Sequence, residues 1–319
     1  MIVTLTMNPS VDRTAQLPAP LAVGGVNRIA AVDDSPGGKG VNVARVLTAG
    51  GVRTQAVFPA PAADPFVAMC AGTGITTTVV PADGAVRINL TLADPDGTTT
   101  KINVPGPELD TAALDRARSA VAALAREARW VVLCGSLPRG VPDDFYADLV
   151  GALRPAGARL AVDTSDAPLE ALAARLPDAA PDLVKPNGEE LGQLAGVDGT
   201  ELERRAADGD TTPVVEAARA LRDRGVGAAL VTLGGAGAVL VDDGEAWFAN
   251  TPAVQVRSTV GAGDSALAGY LLAEARGLPP RDRLVWAVCH GSVAASLPGT
   301  GLPLGLDPST FRATVRRLD

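Results

Sequence analysis

Residues 259–271, TVGAGDSALAGYL, set a carboxylate, Asp264, directly behind a loop almost bare of side chains and ahead of an apolar, helix-like run. A helix start carries unpaired backbone N–H groups and the positive end of the helix dipole, so it can bind an anion. Gly261, Ala262 and Gly263 would let a phosphate approach those amides. Asp264 beside them could then take a proton from an acceptor hydroxyl. A tight turn with Asp264 or Ser265 near the helix start fits the same letters. GAGDSA also matches the G-x-G-x-x-A pattern of dinucleotide folds, but that fingerprint opens a βαβ unit with an acid on a following strand. Here the remaining residues read as helical, over 264–276, 281–297 and 307–318. The chain has no G-x-x-x-x-G-K-[ST] loop.

Three further stretches carry groups suited to the same chemistry. In SPGGKGVNVA (35–44), Gly37, Gly38 and Gly40 allow close approach of the backbone, Lys39 offers a point charge, and Asn42 falls on the first helical turn. In KPNGEE (185–190), Asn187 and Glu190 lie on one helix face. That spacing makes a capping box, and it also suits a Glu190 that organises the water shell of Mg²⁺. NPSVD (8–12) ends the first strand, where parallel α/β sheets bind ligands, and puts Asp12 within reach of sugar hydroxyls. Arg87 and Lys101, on opposite arms of a hairpin, could join Lys39 around an anionic substrate. Gly234-Gly235-Ala236-Gly237, behind a strand ending at Thr232, suits either a nucleotide or a hairpin turn. His290, the only histidine, sits in an apolar helix and reads as a core residue.

The elements that must position these groups follow from pattern. With 319 residues and 47% hydrophobic content, the chain can bury a sizeable core. Its formal charge of −8 and its lack of a basic run argue against nucleic-acid binding. No signal peptide, membrane-length apolar run or metal-type cysteine spacing is visible, and Cys70, Cys134 and Cys289 read as buried free thiols of a reducing compartment. Only three of the 28 basic residues are lysine, so Lys39, Lys101 and Lys185 stand out. MIVTLTM reads as a buried first strand, with half-polar strands at VDRTAQL and NRIAAVDD. VRINLTLADPDGTTTKINV alternates with period two about a turn and predicts a hairpin. From residue 110 helices and strands alternate, implying βαβ units and a mainly parallel sheet. Residues 197–211 read as a polar, mobile connection. AGAVLVDDGEAWFAN predicts a second hairpin. The early strands, about 11–34 and 85–104, fall outside the α/β rhythm and could form a small separate sheet over the core, a lid.

GGKGVNVARVL and TVGAGDSALAGYL resemble the two signatures of the ribokinase-like (PfkB) carbohydrate kinases. TMNPSVDRT, TKINVPGPEL, CGSLPRGVP, KPNGEEL, TLGGAGA and SLPGTGLP extend the resemblance, in order, over almost the whole chain. The branch containing 1-phosphofructokinase and tagatose-6-phosphate kinase is the one it looks most like. The resemblance implies one ribokinase-like kinase domain over 1–319: a three-layer α/β sandwich with a mainly parallel central sheet and a small β-sheet lid. It implies ATP-dependent phosphorylation of D-fructose 1-phosphate at its 6-hydroxyl, with a tagatose-6-phosphate or other hexose kinase as the alternative. A sugar-binding protein without catalysis is the alternative from another class.

By position, the resemblance makes Asp264 the catalytic base and the amides of Gly261, Ala262 and Gly263 the anion hole. Asp12, Gly38, Lys39, Asn42 and Arg87 would contact the sugar phosphate, with Lys101 reaching it from the lid. Lys185, Asn187, Glu190, Thr232, Gly234 and Gly237 would line an ATP–Mg²⁺ site, Glu190 holding the metal through water. ATP and Mg²⁺ are the implied cofactors, with a monovalent cation as a further candidate. A cytoplasmic homodimer formed through the lid, with no nucleic-acid or membrane partner, completes the expectation. Two departures stand out: FPAPAADPF (58–66) replaces a glycine-rich segment, and Thr91 stands where many 1-phosphofructokinases have lysine.

Overall fold

The first apolar run becomes β1 (Ile2–Thr6), buried along its whole length, as a strand covered by helices on both faces must be. The computed structural model describes residues 1–318. β2 (Ser10–Gln16) and β3 (Ala31–Gly37) pair antiparallel, and Gly38 alone separates β3 from α1 (Lys39–Ala49). Next come β4 (Thr54–Ala60), α2 (Pro65–Gly72) and β5 (Thr77–Pro81). β6 (Arg87–Ala93) and β7 (Thr99–Ile102) form the expected hairpin.

The alternating half of the chain supplies α3 (Thr111–Ala125), β8 (Trp130–Cys134), α4 (Phe145–Leu153), β9 (Arg159–Asp163) and α5 (Asp166–Ala174). It continues through β10 (Leu183–Val184), α6 (Gly188–Ala195), α7 (Gly199–Ala207), α8 (Thr212–Asp223) and β11 (Ala228–Thr232). The second expected hairpin is β12 (Ala238–Asp242) with β13 (Glu245–Asn250). α9 (Ala262–Ala275), α10 (Pro280–Ser296) and β14 (Thr314–Leu318) end the described chain.

Ten strands form the central sheet in the order β14-β13-β12-β11-β10-β9-β8-β1-β4-β5, parallel except at β12, β13 and β14. Alternate residues serve opposite faces. Val131 and Leu133 pack with α3 to α8, whereas Trp130, Val132 and Cys134 pack with α1, α9 and α10. The result is the expected three-layer sandwich. Four further strands make a separate small sheet, β3-β2-β6-β7, in which β2 and β6 run parallel. From β1 the main sheet grows in both directions, so β1 and β8 border a switch point, where a crevice opens at the strand C-termini.

Three expectations are corrected. Part of 197–211 is the helix α7: Asp198 caps it by accepting from Thr200 N and Glu201 N, and Leu202 and Ala206 bury its one apolar edge. The segment 307–318 is a short 3₁₀ turn followed by β14, which pairs with β13 at the sheet edge. The third early strand also begins later than expected, at Ala31.

α9 is buried all round, as a helix with no polar face should be. At about 21 Å for 14 residues, it spans the layer from one end of the strands to the other. Its last turn is tied down by Glu274, whose Oε1 accepts from Arg129 (2.6 Å) and Arg159 (3.1 Å) and whose Oε2 accepts from the Trp130 indole (3.1 Å). These partners open β8 and β9. With its foot fixed there, α9 presents its N-terminus at the opposite, C-terminal ends of the strands.

Removing Glu274 strands two cations that still reach water, so the cost falls below that of a fully buried pair. Glu274→Ala is expected to lower the unfolding free energy by about 2–4 kcal/mol in urea titration. A loss under about 0.5 kcal/mol, the level of an ordinary surface change, would contradict the anchoring role.

Candidate active site

A cleft of about 750 Å³ opens at the C-terminal ends of β1, β8, β9, β10 and β11. At its centre is the start of α9. Gly261 takes the cap position with φ of 74°, a conformation that favours glycine. The N–H groups of Gly261, Gly263 and Asp264 donate to no protein acceptor among the described residues, and that of Ala262 reaches only Thr259 O at 3.4 Å. A row of free donors and the dipole thus meet in the cleft wall. Asp264 is 7% exposed and accepts from Asn42 Nδ2 at 2.9 Å. Burial, and then the nearby Asp163 carboxylate, push its pKa up to about 6 against the pull of Lys39, Asn42 and Lys185.

Lys39 is the first residue of α1, where the helix dipole disfavours a cation, so its place depends on acidic partners. Its ammonium lies 2.8 Å from Asp163 Oδ1, and that of Lys185 lies 3.4 Å from Oδ2. Burial alone would lower the Lys39 pKa, but Asp163, Asp264 and Glu190 outweigh it and raise it. Burial would raise Asp163, but the two lysines hold it below the usual carboxylate range. A Cβ placed on Gly263 would sit 3.3 Å from Lys185 Nζ, which locates that ammonium against the start of α9.

The register of the small sheet assembles the other end of the cleft, with Ser10 beside Arg87 and Asp12 beside Asn89. Asp12 accepts from Ser10 Oγ (2.7 Å) and Asn89 Nδ2 (3.3 Å), and burial raises its pKa. Any side chain on Gly37 would strike it, at 2.2 Å from Oδ2. Arg87 donates to Val104 O (2.9 Å) and Asn8 O (3.2 Å), while its Nε–H is buried without a partner. Burial lowers its pKa. A desolvated guanidinium with a spare donor suits an anion. Gly38 lines the same region.

At the far end, Asn187 and Glu190 cap α6 reciprocally, at 2.7 and 2.8 Å, so the capping box is real. Glu190 still lines the cleft, with Oε1 free of protein partners among the described residues, and burial raises its pKa. Thr232, Gly234 and Gly237 line it too, and Gly237 allows no Cβ because Ala249 O would lie 2.3 Å away.

Of the expected site residues, only Lys101 is absent from the lining. It is exposed on β7, the outer strand of the small sheet. His290 is a core residue, its Nδ1 2.8 Å from Trp286 O and its pKa lowered by burial. Sequence reasoning missed Asp163, although an acid that closes an apolar parallel strand, RLAVD, is a usable signal. It also missed the small apolar wall of the Glu190 end, made by Ala253 and Val254 with Ala287, Gly291 and Ala295 of α10. The helical spacing of the last three could have shown that face.

The chain matches the model of the pfkB family carbohydrate kinases over residues 5–305. It is 39% identical to the 1-phosphofructokinase of Rhodobacter capsulatus, over 99% of this chain and 98% of that one. It is 32% identical to the 1-phosphofructokinase of Bacillus subtilis, over 92% of each. Its fold superposes on that of Escherichia coli phosphofructokinase-2 in complex with potassium with a TM-score of 0.86, at 29% identity over 97% of each chain.

A carboxyl whose pKa is raised in the folded state stabilises the protein below its unfolded value of 3.8, and that contribution is lost as pH rises through about 6. Asp264→Asn, which keeps an acceptor for Asn42, is therefore expected to melt no lower than the parent at pH 5 and higher at pH 8. A drop of several degrees at pH 8 in calorimetry would contradict this electrostatic account.

Proposed function

We propose that this chain, which belongs to the pfkB family of carbohydrate kinases, transfers the γ-phosphoryl group of ATP to the 6-hydroxyl of D-fructose 1-phosphate. The observation that carries the proposal is the carboxylate of Asp264 beside the free amides of α9, in one cleft with a desolvated arginine at one end and the Asn187–Glu190 cap at the other. The substrate follows the relatives named 1-phosphofructokinase.

In this mechanism Arg87, Lys39 and Asn42 bind the sugar phosphate, with Gly38 allowing its approach and Asp12 accepting from a ring hydroxyl. Lys101, on the outer strand, would join them only when the small sheet closes as a lid. Lys185, Asn187, Thr232, Gly234 and Gly237 line the ATP end. Asp264 takes the proton of the 6-hydroxyl as its oxygen bonds to the γ-phosphorus. The bond to the ADP oxygen breaks, and charge on the migrating group falls on the amides of Gly261, Ala262 and Gly263. Positioning and charge neutralisation supply most of such a rate. The free Oε1 of Glu190, a hard oxygen donor, fits Mg²⁺ held through water. When bound, Mg²⁺ would neutralise phosphate charge. A monovalent cation belongs to the proposal as an accessory whose effect K⁺ omission measures.

We also assign a homodimer to the exposed apolar residues of the small sheet and its loop, among them Val23, Val26, Val32 and Ile102. A cytoplasmic location fits three free, buried thiols, and no helix among the described residues is long and apolar enough to cross a membrane.

Three measurements check these assignments. ADP release across a panel of sugar phosphates should be fastest with fructose 1-phosphate. A faster tagatose 6-phosphate reaction would reassign the substrate, and no turnover with any sugar would reject the kinase. Asp264→Ala should lower kcat by about 100-fold or more with ATP binding retained, as loss of general-base catalysis requires. Near-parent turnover would remove Asp264 from the role. Val26→Asp with Val32→Asp should shift sedimentation from dimer to monomer, and an unchanged dimer would place the interface elsewhere.

A further inference from the structure

We propose that Asp163 is the positioning residue of the transfer: it holds the Lys39 and Lys185 ammonium groups in place and keeps them from closing on Asp264. The proposal rests on the assignment of Asp264 as the base. Asp163 ends β9, is fully buried and is not part of the cleft lining, so it acts through its neighbours. One oxygen meets Lys39 at 2.8 Å and the other meets Lys185 at 3.4 Å. The two cations come from different helix-bearing segments, one at the head of α1 and one just before α6, and this carboxylate is the group common to both.

Consider the same cleft without that charge. Two ammonium groups, one 31% and the other 4% exposed, would be left partly or wholly desolvated. The carboxylate they both already feel is Asp264. They would pair with it, occupy its lone pairs and weaken it as a proton acceptor. With Asp163 present, the three groups carry one net positive charge. It faces the phosphates, and an oxygen of Asp264 stays available.

The direct influence agrees in sign. Asp163 is the largest neighbouring charge raising the pKa of Asp264, while both lysines lower it. Deleting Asp163 thus acts twice in one direction, by removing a repelling anion and by releasing two attracting cations. The charged groups acting on Asp264 are Asp163, Lys39 and Lys185. Asn42 donates to it, and Glu190 acts on both lysines.

The test compares pH profiles of kcat at saturating ATP and sugar phosphate for the parent, Asp163→Asn and Asp163→Glu, with melting curves for each. Asp163→Asn should lower kcat at pH 8 at least about 10-fold, and move the acid limb down by about one pH unit as the base becomes more acidic. Asp163→Glu keeps the charge. Its limb should stay at the parent position even where misplacement lowers kcat. Equal limbs in parent and Asp163→Asn would overturn the proposal, because the lost anion and the released lysines must both make Asp264 more acidic. If Asp163→Asn does not fold, Lys185→Met tests the same network with opposite sign: its limb should rise, and an unmoved limb overturns the proposal. Failure of the base assignment itself is separable, since Asp264→Asn would then retain near-parent kcat.

Discussion

Charge imbalance in a desolvated space governs this molecule. Three carboxylates, Asp163, Asp264 and Glu190, share one end of a sheet with two ammonium groups, Lys39 and Lys185. None of these acids is freely hydrated. Asp163 is resolved by ion pairing and falls below its ordinary range, whereas Asp264 is left short of compensation and rises. One fold thus holds two aspartates in opposite electrostatic states a short distance apart. A permanent anion organises cations, and a carboxyl poised near neutrality can exchange a proton.

The scaffold exists to bring these groups to one edge. Parallel strands covered on both faces bring loops from many segments together at their C-terminal ends, where such sheets bind ligands. β1, β8, β9, β10 and β11 each end there. α9 contributes its N-terminus, directed by the Glu274 anchor at its other end. The small sheet adds Asp12, Arg87 and Asn89 by register. Polar groups that would be costly in the interior are tolerated here because each has a partner or faces the cleft.

How much of this the sequence carried depends on signal length. β1, β8 and β11 announce themselves by apolar runs, β8 and β11 with charged or glycine borders, and the β6–β7 hairpin by alternation around Asp94-Pro95-Asp96-Gly97. The glycine loop, Lys39, Asn42, Asp12 and Glu190 are legible because their residue types are rare in such contexts. α7 reads as a loop in sequence because only Leu202 and Ala206 mark its buried edge, and its stability comes from the Asp198 cap and from packing on α6. β14 does not read as a strand in sequence because only Leu318 in it is buried. A short, charged edge strand gives little periodic signal, and pairing with β13 decides its state. Asp163 has a local context like that of any strand-closing acid. Its meaning lies in two lysines, 124 positions earlier in the case of Lys39, which only the folded topology supplies.

The junction at Gly38 joins the two sheets mechanically. One residue, with φ of 102° and room for no side chain against Thr6, separates the last rung of β3 from the first residue of α1. No slack exists there to absorb a displacement. The register of the small sheet therefore also sets where α1 begins, and with it the backbone position from which Lys39 reaches Asp163.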